Sequence, residues 1–388
     1  MKKILALVLA LCMVFALCAC GAKTEAPATE APAAEAPAAE APAAEAPAFK
    51  VAMITDYGDI TDQSFNQTTY EACKEFCDEN SIEFKYYKPA GDSTAERVAM
   101  VDAAVADGFN VIVMPGFAFG ETVVQTVELY PDVYFIALDV SQGDLGDFVL
   151  PENVFCAVYQ EELCGYMAGY AAVKLGYTKL GFLGGMAVPA VVRYGYGFVQ
   201  GADAAAAELG LTDVTMNYAY GNQFFGDADI TAAMDTWYSA GTEVVFACGG
   251  GIYTSAAEAA AKVGGKVIGV DVDQAAIIDG DYGEGMTVTS AMKGLSATVK
   301  SVLGDLILND AWSNYAGQVS TLGLIGEDPE ANFVQLPVAS TQFAEGFTEA
   351  DYTALVAAMF NGEVTVSNDI EAEPAVTAIA VDYQGNIK

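Results

Sequence analysis

The sequence contains no histidine in its 388 residues. This absence excludes Ser-His-Asp and Cys-His catalysis, the HExxH zinc site and the commonest side-chain ligand of metals. Carboxylates, lysines and tyrosines remain as acid–base groups, so catalysis is disfavoured rather than excluded. The composition therefore favours a binding protein over an enzyme, and we predict neither a cofactor nor a metal site.

Basic residues are scarce. Lysine and arginine total 16 against 52 aspartates and glutamates, which gives a formal net charge of -36. Such a chain repels phosphate backbones and anionic lipid headgroups, so we predict no nucleic-acid partner and no strongly anionic ligand. Hydrophobic residues make up 53% and charged residues 18%, which is enough apolar material for a large core in about two domains.

The N-terminal apolar run, residues 4–17, is shorter than the roughly 20 residues that a membrane span needs. Lys2 and Lys3 precede it, so residues 1–19 read as an export signal. The run ends in LCAC followed by Gly21, which resembles a bacterial lipobox with Cys20 as the lipid-modified residue. We therefore expect a chain anchored by lipid to the cell membrane and facing outside the cytoplasm; the alternative is plain secretion with cleavage near Ala19.

Residues 20–48 are rich in glutamate, alanine and proline, and the unit EAPA repeats there with a period of about five. Regular proline blocks continuous helix and favours extended structure at about 3.1 Å per residue. This segment is predicted to be a semi-rigid spacer between the membrane and the folded part.

The folded part contains an odd number of cysteines and no zinc-type CxxC pair. An even disulfide framework cannot be drawn from them, so we interpret them as small buried apolar residues, either all reduced or with one pair oxidised. They are Cys73, Cys77, Cys156, Cys164 and Cys248.

From residue 49 onward, short β-rich apolar runs alternate with longer helical patterns, which is typical of parallel sheets covered by helices on both faces. The predicted strands are 51–55, 84–88, 111–114, 134–139 and 155–159 in a first series, and 179–183, 214–220, 244–248, 267–270 and 287–292 in a second. We therefore predict an α/β fold with two lobes, each a doubly wound parallel sheet. Residues 49–159 plus about 287–325 are assigned to the first lobe, and 160–286 plus about 326–388 to the second.

Charged residues and glycines follow the predicted strands, where ligands bind in open parallel sheets. Asp56, Asp139, Asp271 and Lys293 stand at such ends, and Gly249 opens a glycine triplet that fits neither a dinucleotide nor a phosphate-loop motif. Each aspartate taken alone is more readily explained as a helix cap than as a ligand-binding residue. Their joint placement at strand ends predicts a ligand site between the lobes.

Four separated segments resemble signatures of one family, in the family's order. They are DYGDITDQSFN at 56–66, GGMAVPAVVRYGYGFVQG at 184–201, FACGGGIYTSAAEAA at 246–260 and VIGVDVDQ at 267–274. The family is the basic membrane protein family, the purine-nucleoside receptor type of ABC-transporter substrate-binding lipoprotein. The resemblance implies a two-lobed type I periplasmic-binding-protein fold that closes on a purine nucleoside. It also implies delivery of the nucleoside to an ABC permease driven by a cytoplasmic ATPase.

The resemblance also implies roles for individual residues. Phe65 matches the aromatic that stacks on the base, and Asp271 and Lys293 match the pair that holds the ribose. The second stacking aromatic falls in GNQFFGD, where we prefer Phe224 and leave Phe225 open. The ligand-binding residues implied are Asp56, Phe65, Asn66, Asp139, Phe224, Gly249, Asp271 and Lys293.

The sequence departs from the family at two places, and both bear on the ligand. Thr61 stands where relatives often carry an acidic residue, and GNQFF replaces the usual sequence before the second aromatic. These departures leave the preferred base open. The alternatives are a binding protein for another heterocycle such as a flavin or a free nucleobase, a surface adhesin, and a nucleoside-cleaving enzyme that uses the carboxylates.

Overall fold

The computed structural model describes residues 48–388. The predicted export signal, Cys20 and almost all of the repeat segment lie outside these residues. The strands are β1 (Lys50–Ile54), β2 (Glu83–Tyr87), β3 (Val111–Pro115), β4 (Tyr134–Leu138), β5 (Val154–Tyr159), β6 (Lys179–Gly184), β7 (Val214–Tyr220), β8 (Val244–Cys248), β9 (Lys266–Asp271), β10 (Thr287–Lys293), β11 (Gln318–Leu322), β12 (Val334–Gln335) and β13 (Ile379–Asn386). The helices are α1 (Phe65–Asn80), α2 (Thr94–Ala106), α3 (Gly120–Thr126), α4 (Gln142–Leu145), α5 (Glu161–Lys174), α6 (Pro189–Leu209), α7 (Ala228–Ser239), α8 (Tyr253–Ala261), α9 (Ala275–Tyr282), α10 (Leu295–Ile307) and α11 (Glu349–Phe360).

The strands form two sheets, one in each lobe. The sheet of the first lobe has the order β11-β5-β4-β3-β1-β2, and all of its strands are parallel. The sheet of the second lobe has the order β12-β10-β9-β8-β6-β7-β13, in which the short β12 is antiparallel to β10 and the other pairs are parallel. The predicted α/β fold with two parallel sheets is confirmed.

Continuous apolar runs form the central strands because both faces of each sheet are covered. In β1, Val51 and Met53 pack into one core while Ala52 and Ile54 pack into another. The alternation follows from the two-residue period of a strand. β8 divides its buried side chains between two cores in the same way. Each sheet is therefore held by apolar contacts on both sides, which fixes the positions of its strand ends.

The predicted boundary between the lobes needs one correction. Residues 287–292 are predicted to begin a return to the first lobe, but β10 pairs with β9 in the second sheet. The return begins after Lys293, because α10 packs against α1 and β11 pairs with β5. The chain thus passes between the sheets after β5, after β10 and after β11. The misplaced strand matters because it carries Lys293 into the wall of the second lobe.

The five cysteines of the folded part are all free and buried. Burial raises the pKa of the Cys156 thiol to about 12, so it stays protonated at neutral pH. This agrees with the interpretation of these cysteines as apolar core residues. No helix within residues 48–388 is both long and apolar enough to cross a membrane.

Candidate ligand-binding cleft

A cavity of about 480 Å³ lies between the two lobes at the carboxyl ends of their strands. Its volume falls within the range typical of small-molecule sites. All eight residues that the sequence analysis proposed line this cavity: Asp56, Phe65, Asn66, Asp139, Phe224, Gly249, Asp271 and Lys293. The fold therefore brings together side chains from six separate strand-to-helix connections and strand ends.

Asp56 and Asn66 form a polar wall on the first lobe. Asp56 follows β1 and is nearly buried, and its Oδ1 atom accepts the backbone N–H of Gly58 at 2.6 Å. Burial raises the pKa of the Asp56 carboxyl to about 6, although that hydrogen bond and the one from Asn66 act in the opposite direction. The Oδ1 atom of Asn66 is buried and has no hydrogen-bond partner among residues 48–388. A ligand with N–H groups along one edge would satisfy both acceptors.

The third carboxylate of the same motif, Asp62, has a structural role. Asp62 accepts the backbone N–H groups of Ser64, Asn66 and Gln67 at 2.9, 2.9 and 3.1 Å, at the start of α1. It also accepts the Asn66 side-chain amide at 3.1 Å. The Asp62 carboxylate therefore caps the start of α1, and it orients Asn66 toward the cavity wall.

Lys293, at the end of β10, is the centre of a buried charge cluster. Its Nζ atom lies 2.7 Å from Asp139, 3.4 Å from Glu161 and 3.7 Å from Asp271. Burial alone would favour the neutral amine, but the three carboxylates outweigh it and raise the pKa of Lys293 above its usual range. The side chain is only 3% exposed, so this cation stays charged without solvent.

The two aspartates of the cluster occupy equivalent places in the two lobes. Asp139 follows β4 and Asp271 ends β9, and both have left-handed backbone conformations with φ of 59° and 65°. Aspartate tolerates this region better than most residues, although it remains uncommon. Burial raises the pKa of Asp139 to about 6, with Lys293 acting against the shift and Glu161 with it. The Oδ1 atom of Asp139 is buried and lacks a hydrogen-bond partner in the described part of the chain.

Sequence reasoning missed two members of the cluster. Glu161, the first residue of α5, is fully buried, and its carboxylate contacts Lys293 through one oxygen and the Nε atom of Arg193 at 2.6 Å through the other. Arg193 lines the cavity from α6. Neither residue was among the predicted site residues. The sequence feature that could have pointed to Glu161 is the pair of adjacent glutamates, Glu161 and Glu162, at the start of an otherwise apolar helix. The structure buries both of them.

Aromatic rings complete the cavity. The Lys293 ammonium lies 4.7 Å from the centre of the Phe65 ring, a cation–π distance, so Phe65 packs against the cluster while also lining the cavity. The Tyr57 ring stacks on Phe224 across the lobes with centroids 6.1 Å apart, and its hydroxyl contacts the Met186 sulfur at 3.2 Å. Tyr57 was not among the predicted site residues, although it stands in the first motif.

The glycine triplet leaves space for the Phe224 ring to pack against its backbone. Gly249 has φ of +142°, and a Cβ atom there would lie 2.7 Å from the Phe224 ring. A larger residue would therefore be strained and would displace the ring. Phe225 is 61% exposed, whereas Phe224 is partly buried against this glycine surface. The role of Phe224 as second stacking residue stays a prediction, because its neighbour in this structure is Tyr57.

The chain is similar in sequence to known transport proteins and to a described protein family. Residues 49–325 match the model of a family described as ABC transporter substrate-binding protein PnrA-like. The chain belongs to this family. It is 28% identical over 238 residues to the ABC transporter nucleoside-binding protein BmpA of Lactococcus lactis, covering 58% of this chain and 64% of that protein. It is also 28% identical over 284 residues to basic membrane protein B of Borreliella burgdorferi, covering 71% of this chain and 78% of that protein.

Solved structures of solute-binding proteins share the fold of this PnrA-like chain. The ABC transporter solute-binding proteins of Conexibacter woesei and Aeropyrum pernix superpose with TM-scores of 0.63 and 0.62. Both are 22% identical to this chain and cover 83% of it, and the match spans 99% and 88% of those chains respectively. The two-lobed type I periplasmic-binding-protein fold is thereby confirmed, and the cavity occupies the cleft between its lobes.

Proposed function

We propose that this chain captures purine nucleosides between its lobes and delivers them to an ABC permease driven by a cytoplasmic ATPase. The observation that carries the proposal is that three chemically different groups line one cavity. Two acceptors, Asp56 and Asn66, suit the N–H groups of a purine edge, and Phe65 offers an aromatic face. The cluster of Lys293, Asp139 and Asp271 offers charge-assisted hydrogen bonds to vicinal hydroxyls.

The relatives support the same ligand class. The Lactococcus protein is named as nucleoside-binding, and it shares the family of this chain. The net charge of -36 and the buried carboxylates disfavour nucleotides, because a phosphate would meet several negative charges. A neutral nucleoside fits this environment better.

A thermal-shift screen of the full chain tests the proposed ligand class. Purine nucleosides at 100 times Kd should stabilise the folded state by about 2.7 kcal/mol by mass action and raise Tm, because they bind the closed cleft and not the unfolded chain. Flavins, free bases and sugars should give smaller shifts. A larger shift with riboflavin or free guanine than with any nucleoside would transfer the assignment to the alternative heterocycle.

Replacing Phe65 by alanine is expected to weaken all purine nucleosides by a similar factor. Stacking of a base on an aromatic side chain contributes about 1–3 kcal/mol and depends little on which base is present. Calorimetry with guanosine, inosine and adenosine measures the change. Phe360→Ala is the control, since Phe360 is half-exposed at the end of α11 and is not among the cavity residues. Equal affinities of Phe65→Ala and the control would remove Phe65 from the site.

Replacing Asp271 by asparagine should penalise ribonucleosides more than their deoxy counterparts. The carboxylate is proposed to accept a ribose hydroxyl, so its loss should cost more affinity where that hydroxyl is present. Titrations with guanosine and with its 2′-deoxy and 3′-deoxy forms give the comparison. Asp273→Asn changes a neighbouring carboxylate outside the cavity and serves as the control. A uniform loss over all three ligands would contradict a ribose role for Asp271.

We further propose that Cys20 carries lipid and anchors the chain at the outer face of the membrane. Mass spectrometry of the mature N-terminus should find a diacylated Cys20 as the first residue. The Cys20→Ala variant should leave the membrane fraction, while a Cys18→Ala variant should stay there. A mature chain that starts at another residue would contradict the anchor.

A further inference from the structure

Two of the family-like segments contain residues outside the proposed set of ligand-binding residues. Gln63 and Ser64 lie in the segment 56–66 directly before α1, and Gln274 ends the segment 267–274 directly before α9. The first belongs to the first lobe and the second to the second lobe. The structure brings these two segments together across the cleft, beside the cavity.

Gln274 is 1% exposed, and its side-chain amide makes two hydrogen bonds. The Oε1 atom accepts the backbone N–H of Val270 at 2.9 Å, within the second lobe. The Nε2 atom donates to the backbone carbonyl of Gln63 at 3.0 Å, in the first lobe. The backbone N–H of Gln274 donates to the Ser290 hydroxyl at 3.1 Å. Two hydrogen bonds within its own lobe thus orient one donor of Gln274 toward the other lobe.

The surroundings are shaped for this contact. Gly269 lies under the amide, where a Cβ atom would be 2.9 Å from the Gln274 Oε1 atom. Gln63 has φ of 56°, a region that residues other than glycine adopt rarely. Next to it, the Ser64 hydroxyl donates to Asp271 at 2.5 Å. The left-handed backbone of Gln63 in the first lobe and the glycine at position 269 in the second lobe both favour the hydrogen bond from Gln274 to Gln63.

We propose that Gln274 is a latch that holds the lobes closed, and that it sets affinity without contacting the ligand. The inference rests on the proposed capture of a ligand by closure. Gln274 is not among the residues lining the ligand cavity, whereas Lys293, Asp139, Tyr57 and Phe224, which also join the lobes, are. A ligand that binds the closed form has an apparent affinity reduced by the fraction of protein that is closed. Loosening the latch therefore weakens every ligand by the same factor.

The test uses Gln274→Glu and Gln274→Met in the full chain at pH 8. The glutamate keeps the acceptor for Val270 but loses the donor to Gln63, and the methionine keeps the length of the side chain but loses both hydrogen bonds. Each should raise Kd for guanosine, inosine and adenosine by about tenfold, with the ratios among the three ligands unchanged. The increase should appear as faster dissociation, since the latch breaks on opening.

Gln342→Glu is the matched control. The Gln342 amide donates to the carbonyls of Gly285 and Thr287, at 2.8 and 2.7 Å, inside the second lobe. Its replacement should lower the stability of the folded chain and leave nucleoside affinity unchanged. If the Gln274 variants bind like the wild type, or change the ratios among the three ligands, the latch is wrong.

The same titrations separate the latch from the proposed ligand class. Riboflavin and free guanine are titrated beside the nucleosides. Heat from one of these two and none from the nucleosides would overturn the nucleoside assignment, and the latch would then be judged on the wild-type and variant Kd for that ligand. No heat from any of the five compounds would overturn both proposals.

Discussion

Replacing Lys293 with methionine is expected to lower the free energy of unfolding by about 3–5 kcal/mol at pH 8 and to abolish measurable nucleoside binding. Methionine keeps the length of the stem but leaves Asp139, Glu161 and Asp271 without their shared cation. Removing one partner of a buried ion pair leaves an uncompensated charge, which is far more costly than losing a surface pair. Urea denaturation and calorimetry measure the two effects.

Lys300→Met is the control for this variant. Lys300 makes a 2.6 Å ion pair with Glu75 on the surface, with side chains 40% and 60% exposed, so its loss should change stability by about 0–1 kcal/mol. The destabilisation by Lys293→Met should also shrink at pH 5. Without the ammonium, the pKa of Asp139 rises further above 6, and the protonated carboxyl is neutral at pH 5. A destabilisation equal at pH 5 and pH 8 would contradict the charge account.

Nucleoside affinity is expected to fall steeply as pH drops below 6, while the ligand-free cleft becomes more stable. The pKa values of Asp56 and Asp139 are about 6, above the ordinary value of 3.8, and burial is the main cause for both. A raised carboxyl pKa contributes stability that is fully present below about 3.8 and is lost as pH rises through about 6. The proposed nucleoside, however, donates hydrogen bonds to the ionised carboxylates of Asp56 and Asp139, so its affinity falls when they are protonated.

The expected affinity loss is about tenfold per pH unit for each carboxylate that the ligand requires, and so up to about 100-fold per unit for two. Titrations with guanosine between pH 8 and pH 5 give the profile. The Asp56→Asn variant should lose one of the two titrating carboxylates, and the slope of guanosine affinity against pH should be halved below pH 6. It should also reduce the gain in stability on acidification. An affinity that is flat from pH 8 to pH 5 would show that neither acidic side chain accepts a proton-bearing group of the ligand.

The fold can be predicted from the sequence because the alternation of apolar runs and helical patterns is repeated along the chain. Buried central strands such as β3 and β8 read as continuous apolar runs between helical patterns, and each ends within about one residue of its predicted limit. The edge strands β11 and β13 carry no such signal. β11 is half-exposed and β13 alternates buried and exposed residues, so the pairing of each with a neighbour depends on tertiary structure. The position of β10 is likewise a matter of pairing, because its apolar pattern suits either sheet.

Within the site, sequence reasoning finds residues that stand directly after strands. Asp56, Asp139, Asp271 and Lys293 meet because the carboxyl ends of parallel strands share one edge and the two edges face each other. Glu161 begins a helix and Gln274 precedes one, so neither has a strand-end position that distinguishes it from an ordinary helix start. Their functions lie in contacts between lobes or between distant segments, which a single sequence does not encode locally.

The central claim is that the cleft binds a purine nucleoside, and a calorimetric titration of the full chain with guanosine at pH 8 tests it most directly. We predict saturable heat with one site per chain, affinity loss in Phe65→Ala, and loss of the preference for ribose over deoxyribose in Asp271→Asn. Heat from riboflavin or a sugar with none from guanosine, inosine or adenosine would contradict the claim.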